Sequence, residues 1–183
     1  MKRFLLGIRG ISFLWGFLEA TIFFIVPDVY LTKTALRSFK KAFISLGYAL
    51  LGAIIGGSLM YFLGSSYYVE TLRVMNDIPA ISNDLIAIVE DGVQEDPYNA
   101  LLFGALKGIP FKLFALAFGH YNISYPQFLC LAFIARSLRF MISMSIAWTV
   151  NLSLIKYSLK KRQVILYLFW TIFYVFYFLY MKS

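Results

Sequence analysis

Acidic residues are scarce in this chain, and cysteine and histidine are almost missing. One cysteine (Cys130) and one histidine (His120) stand among 183 residues. A single thiol excludes an intrachain disulfide, and so few Cys and His exclude the clustered ligand sets of zinc sites. One histidine and the lack of a G-x-S-x-G motif leave no basis for a serine triad. No phosphate-binding P-loop is present, which argues against ATP hydrolysis. No cofactor and no metal is expected, and the chain does not read as an enzyme. Nine acids face 17 lysines and arginines, for a net charge of +8. Seven of the nine (Glu70, Asp77, Asp84, Glu90, Asp91, Glu95, Asp96) lie between 65 and 97, where Arg73 is the one basic residue. Glu19 and Asp28 are the other two.

What is there instead is apolar. The chain is 61% hydrophobic, 19% aromatic and 14% charged, against roughly 45–50% apolar and about 25% charged in soluble domains. A soluble fold of this size could not hide so much apolar surface, so lipid is the expected solvent and the length suits one membrane domain. The basic residues flank apolar runs or sit inside them rather than forming a basic face. That pattern sets orientation and attracts anionic lipid, and it speaks against nucleic acid. Cys130 lies in an apolar run and reads as a small buried hydrophobe. The start Met1-Lys2-Arg3 resembles that of a signal peptide, but Arg9 and Glu19 interrupt the apolar stretch and no small-residue cleavage site follows, so it is expected to stay attached.

Five apolar stretches run at about 11–31, 42–64, 98–119, 125–152 and 163–181. About 20 residues cross a bilayer as a helix, and 42–64, 125–152 and 163–181 qualify simply as spans. The other two combine ionisable residues with a helix breaker: Glu19, Pro27 and Asp28 in one, Lys107, Gly108, Pro110 and Lys112 in the other. Such broken segments suit re-entrant hairpins, over 11–36 and 98–121. Basic clusters at Lys2/Arg3/Arg9, Lys33/Arg37/Lys40/Lys41 and Lys156/Lys160/Lys161/Arg162 all fall on one side if 11–36 enters and leaves by the same face. The N-terminus is then cytoplasmic, and the acidic segment 65–97 and the C-terminus lie outside. The two hairpins enter from opposite faces, the pattern of an inverted repeat whose broken helices meet near the midplane. Within 65–97, Ile81, Leu85, Ile88 and Val89 recur at helical spacing, which predicts an amphipathic surface helix capped by Ser82 or Asn83. The expected fold is therefore an all-α membrane protein: two re-entrant hairpins in an inverted repeat, about three spanning helices and one external amphipathic helix.

Four of these pieces carry a resemblance. Phe17-Leu18-Glu19 followed by Pro27-Asp28 resembles the acidic first hairpin of DedA/VTT proteins, also called the SNARE-associated Golgi protein family. Gly57-Ser58-Leu59-Met60-Tyr61-Phe62-Leu63-Gly64 is similar to the family's glycine-rich helix. Gly108-Ile109-Pro110-Phe111-Lys112 with Phe114–Gly119 resembles the second hairpin of its YqaA-like branch, and Ala135-Arg136-Ser137-Leu138-Arg139-Phe140 that branch's R-x-x-R-F/Y helix. The match covers roughly 12–150. Lys107 and Lys112 stand where many members carry arginines, and Ser58 where an aspartate is frequent. The resemblance implies facing hairpins and an integral protein of the bacterial inner (plasma) membrane. It also implies a role in moving undecaprenyl phosphate or phospholipid, as a flippase or scramblase.

The residues expected to matter for transport are Glu19, Asp28, Lys107, Lys112, Arg136 and Arg139. A carboxylate in hydrocarbon must pair, protonate or face water, so Glu19 reads as a proton carrier or an ion-pair partner. Asp28 reads either as a partner for a base or as a cap for the second hairpin arm. Arg136 and Arg139, three apart, share a helix face and suit phosphate or the hairpin acids. Lys112 stands beside a broken helix where it could meet an anionic headgroup, and Lys107 could instead snorkel outward. Gly52, Gly56, Gly57, Tyr61 and Gly64 read as helix packing, His120 as an exposed boundary residue, and the aromatics of 163–181 as lipid-facing or packing residues. The expected partner is an anionic membrane lipid; proton coupling and homo-oligomerisation stay open. Alternatives are a non-transporting membrane scaffold and, less favoured, a lipid-phosphate enzyme.

Overall fold

The computed structural model describes residues 7–79 and 81–182, so Lys2, Arg3 and the signal-like start lie outside the described residues. These residues form helices and connecting turns, with no strand among them. In chain order the helices are α1 (Ile8–Glu19), α2 (Asp28–Ala35), α3 (Phe39–Ser66), α4 (Tyr68–Asn76), α5 (Asn83–Glu95), α6 (Pro97–Lys107), α7 (Phe111–His120), α8 (Tyr125–Ser153) and α9 (Leu159–Lys182). Three are long and apolar enough to cross a membrane: α3, α8 and the stretch Leu159–Leu179 of α9. At 28 residues, α3 is about 42 Å long. It reaches past the 42–64 run because Ser38 caps it, its Oγ accepting from the Lys41 N–H at 3.4 Å.

α3 and α8 are antiparallel. The Phe39 and Trp148 rings lie 5.6 Å apart at one end, and Tyr61 stacks on Phe128 at 5.3 Å toward the other. Around this pair sit two helix–break–helix units, α1–α2 and α6–α7. α1 runs alongside α3 in the same direction, with Gly16 against Ala49 and Phe17 against Gly56. α2 returns toward the start of α3, where Leu31 and Ala35 pack with Ala42, Leu46, Phe140 and Met144. α7 runs along the other half of α3, from Phe111 beside Gly57 to Gly119 against Tyr61. α6 packs on α8 and on the surface helix α5. The main core gathers Met60, Tyr61, Leu85, Val89, Phe114, Phe118 and Phe128.

The acidic segment is two helices, not one. α4 and α5 are separated by the turn at Ile78 and Pro79, where proline cannot continue a helix. Ser82, rather than Asn83, caps α5, its Oγ accepting from the Leu85 N–H at 3.3 Å. Ile81, just ahead of the cap, and Leu85 and Val89 on the helix are buried while Ile88 is exposed, because Ile86 and Val93 complete the inner stripe instead. Outside the bundle His120, exposed, stacks on Tyr68 at 3.8 Å, and the Tyr68 hydroxyl donates to Glu90. Burial and that carboxylate push the Tyr68 phenol well above its usual range. Cys130 is exposed, contrary to the sequence reading. α8 turns Phe128, Leu131, Ala132 and Ala135 inward, and position 130 falls on the outer side.

α6 starts at Asp96, whose carboxylate accepts from the Asn99 and Tyr98 N–H groups at 3.1 and 3.0 Å. The Asn99 N–H, foremost, holds this carboxyl below the usual carboxylate range. A depressed folded value means that the contribution is complete above the unfolded value of about 3.9. It is lost as pH falls through the folded value. Amide protection at Tyr98 and Asn99 is expected to fall on acidification below that range, and Asp96→Asn is expected to remove the pH step in hydrogen exchange.

Candidate functional site

Each helix unit breaks where its chain would reach the middle of the bundle, at residues 20–27 and 108–110. A break frees backbone donors and acceptors, and in an apolar interior each one needs a partner. Side chains supply them. Trp15 Nε1 donates to the Ile25 carbonyl at 2.9 Å. Lys112, from the second unit, donates through Nζ to the Phe23 carbonyl of the first at 2.7 Å. The Val26 N–H donates to the Tyr174 hydroxyl at 2.9 Å, and the Tyr177 hydroxyl reaches the Gly108 carbonyl at 3.5 Å. The two breaks thus touch each other, and α9 touches both.

Gly108 ends α6 at φ +88°, a left-handed backbone that glycine adopts without strain. Pro110 stands ahead of α7 and Pro27 ahead of α2. Both second arms therefore begin at the junction and aim their N-terminal N–H groups toward it, the end of a helix that favours negative charge.

Four buried charges lie here: Arg136, Asp28 and Lys112 are at most 1% exposed and Glu19 is 3% exposed. Arg136 takes Glu19 in a two-pronged pair, Nη1 to Oε1 at 3.2 Å with Nη2 on Oε2. Its guanidinium also lies between the Phe111 and Phe140 rings, 5.0 and 4.7 Å from their centroids, a favourable cation–π arrangement. Arg139, one turn on, brings Nε to 3.5 Å from Asp28 Oδ2. Helical spacing thus sends two arginines of α8 to the two acids of the first unit. Neither Asp28 oxygen has a hydrogen bond, and Asp28 does not cap α2, because it occupies the first helical position instead of the capping one. Its charge still favours the helix start.

A cavity of about 30 Å³ lies at the junction, lined by Glu19, Lys112, Arg139, Pro110, Tyr174 and Tyr177 among others. Ile78, Pro79 and Ile81 of the acidic segment close it on one side. That room holds about one water. Five of the six expected site residues meet in this neighbourhood. Lys107 does not: it is exposed at the end of α6 and outside the cavity lining, because the turn at Gly108 separates it from α7. Gly52, Gly56, Gly57, Tyr61 and Gly64 are buried along α3, where α1 and α7 approach. Among the described residues no group of three or more His, Cys, Asp or Glu could hold a metal ion.

Sequence reasoning passed over Trp15, Tyr174 and Tyr177. The signal was the choice of Tyr over Phe three apart in an otherwise apolar helix, since a phenol in hydrocarbon looks for a partner. Lys112→Met is expected to cost about 1–3 kcal/mol by stranding the Phe23 carbonyl. Thermal unfolding in detergent measures it, and a melt equal to wild type would refute the bridge between the two units.

No protein-family model, curated protein or solved structure matches the chain.

Proposed function

We propose that the chain is a lipid carrier of the DedA/VTT type that moves a phosphate-bearing lipid, undecaprenyl phosphate or a phospholipid, across the bilayer. The observation that carries this reading is the charge balance of the buried cluster. Among the described residues the junction gathers three bases, Arg136, Arg139 and Lys112, and two acids, Glu19 and Asp28, a formal excess of one positive charge. Buried charge without a counter-ion is costly, and two helix N-termini pointing to the same place add to the preference for an anion. A phosphate headgroup supplies what is missing, and arginine's planar fork suits its oxygens.

Helix contacts support the inverted repeat. α1 packs on α3 as α6 packs on α8, and α2 packs on α8 as α7 packs on α3, so exchanging one unit with the other preserves these four packings. On this reading the two units are re-entrant hairpins entering from opposite faces. The basic residues at 33–41 and 156–162 share one end of the bundle, and the positive-inside bias favours a cytoplasmic side for that end.

The present cavity holds one water, so a headgroup needs an opening. α9 is the element free to provide it. No residue of its apolar stretch is fully buried, and the tyrosine hydrogen bonds to the two breaks are among its few polar ties to the bundle. The headgroup enters as α9 moves aside, exchanges hydration for Arg139 and Lys112, and keeps its tails in lipid. Glu19 balances Arg136 and is the group through which protons couple to movement.

The test is reconstitution in liposomes with a fluorescent phospholipid and with polyprenyl phosphate, each with and without a pH gradient. Wild-type protein is expected to move at least one of them, and Glu19→Gln to insert normally yet lose transport. Transport at wild-type rate by well-folded Glu19→Gln would refute the mechanism. A chemically altered headgroup after incubation, read by mass spectrometry, would point to an enzyme instead.

A further inference from the structure

A second cavity lies away from the charged junction, between α9, the last turns of α8 and the end of α2. Its volume is about 310 Å³, at the lower bound of ligand pockets, roughly 300–1,000 Å³. The walls are apolar, with Leu36, Ala147, Val150 and Phe169 among them. The Trp170 indole, donating to Thr32 Oγ1 at 3.0 Å, stands at the inner end. Arg162 and Asn151 stand at the outer end. Arg162 Nη1 donates to Asn151 Oδ1 at 2.7 Å, while its Nε is shut off from solvent without a hydrogen-bond partner.

The shape identifies the occupant. From Arg162 to Trp170 the groove follows eight residues of α9, about 12 Å. One leaflet's hydrocarbon is about 15 Å deep. A groove of that length with apolar walls suits one alkyl chain lying along α9. Charge identifies the headgroup. Arg162 stands at the mouth, and exposed Arg37 points its guanidinium at Gln163 on the next residue, 3.2 Å from Nε with the amide oxygen turned toward it. Lys156, Lys160 and Lys161 are exposed around the same end.

We propose that this groove is a binding site for an anionic phospholipid, one acyl chain lying between α8 and α9 and its phosphate resting on Arg162. The lipid is resident rather than cargo: it fills the gap that leaves α9 poorly packed and holds that helix to the bundle. The site stands whether or not the junction carries lipid.

The test is native mass spectrometry of the delipidated full chain after incubation with phosphatidylglycerol or phosphatidylcholine. Wild-type protein is expected to retain one phosphatidylglycerol per chain and about fivefold less phosphatidylcholine, the effect of one basic side chain near the membrane surface. Arg162→Gln is expected to bring the two lipids level. Ala147→Phe, which fills the groove, is expected to lose both, as is Val150→Trp, placed at a half-exposed wall position that folding tolerates. Equal retention of the two lipids by wild type would overturn the proposal. So would full retention by both groove-filling variants, or a lipid-free dimer that fills the groove with a second copy.

Discussion

Arg136→Met is expected to lower the unfolding free energy by about 3–5 kcal/mol, the usual cost of stranding one member of a buried ion pair. Glu19 is 3% exposed and Arg136 fully buried, so the carboxylate left behind loses both prongs of its pair with almost no access to bulk water. Glu19→Leu is expected to cost a similar amount, because it strands a guanidinium held between Phe111 and Phe140. The double variant Glu19→Leu/Arg136→Met removes both charges and is expected to recover most of the loss. A pair of apolar residues in the same volume is often as stable as the ion pair it replaces. Equilibrium unfolding of the four proteins in one detergent gives the coupling energy directly. Additive losses would mean that the two charges do not depend on each other. On the proposed reading transport separates structure from function: the double variant is expected to be folded and inactive, since it has lost the carboxylate assigned to proton coupling.

The second large effect is expected at Gly119. A methyl group there would lie 1.9 Å from the Tyr61 carbonyl oxygen and 2.9 Å from the Ser65 nitrogen, both backbone atoms. One helical turn back on α7, the Leu116 carbonyl oxygen would lie 2.0 Å from a methyl on Gly64. The two helices thus touch backbone to backbone, and a side chain on either must push them apart. Separation would also pull at the hydrogen bond from the Tyr61 hydroxyl to the Ile123 carbonyl, 2.5 Å long. Gly119→Ala is expected to cost about 3 kcal/mol, the upper part of the range for overpacking. Gly47→Ala is the control. No atom lies within 4 Å of a methyl at that position, and there alanine is expected to stabilise the helix by about 0.5–1 kcal/mol. Thermal melts of the two variants should therefore move in opposite directions. A melt for Gly119→Ala at the wild-type temperature would mean that α3 and α7 do not approach this closely.

Both predictions concern residues that stand out in the sequence, yet their partners do not. Glu19 and Arg136 are 117 positions apart. The sequence says that a charge in an apolar run needs a partner, but the runs around Glu19 and Asp28 carry the same demand, and either acid could have met either arginine. Lys107 and Lys112 flank the same break with the same chemistry. One is exposed and the other buried because Gly108 turns the chain between them. Asp28 after Pro27 looked fit to cap a helix, and the position of the helix start by a single residue decided otherwise. In the sequence Tyr174 and Tyr177 read as lipid-facing or packing aromatics, since a phenol shows its purpose only when the group it bonds is known.

Hydropathy and length alone, through the cost of putting peptide groups and charges into hydrocarbon, determined an all-helical chain with three helices able to span a membrane. The same cost singled out the buried acids and bases, and the small residues of α3 as a place of close approach. The tertiary structure decided which charge faces which, how the acidic segment divides into α4 and α5, that Cys130 points outward, and that α9 closes the junction with two hydroxyls. These depend on the angle and register at which helices far apart in the chain pack. Register is set by the summed fit of many side chains, so no local stretch contains it.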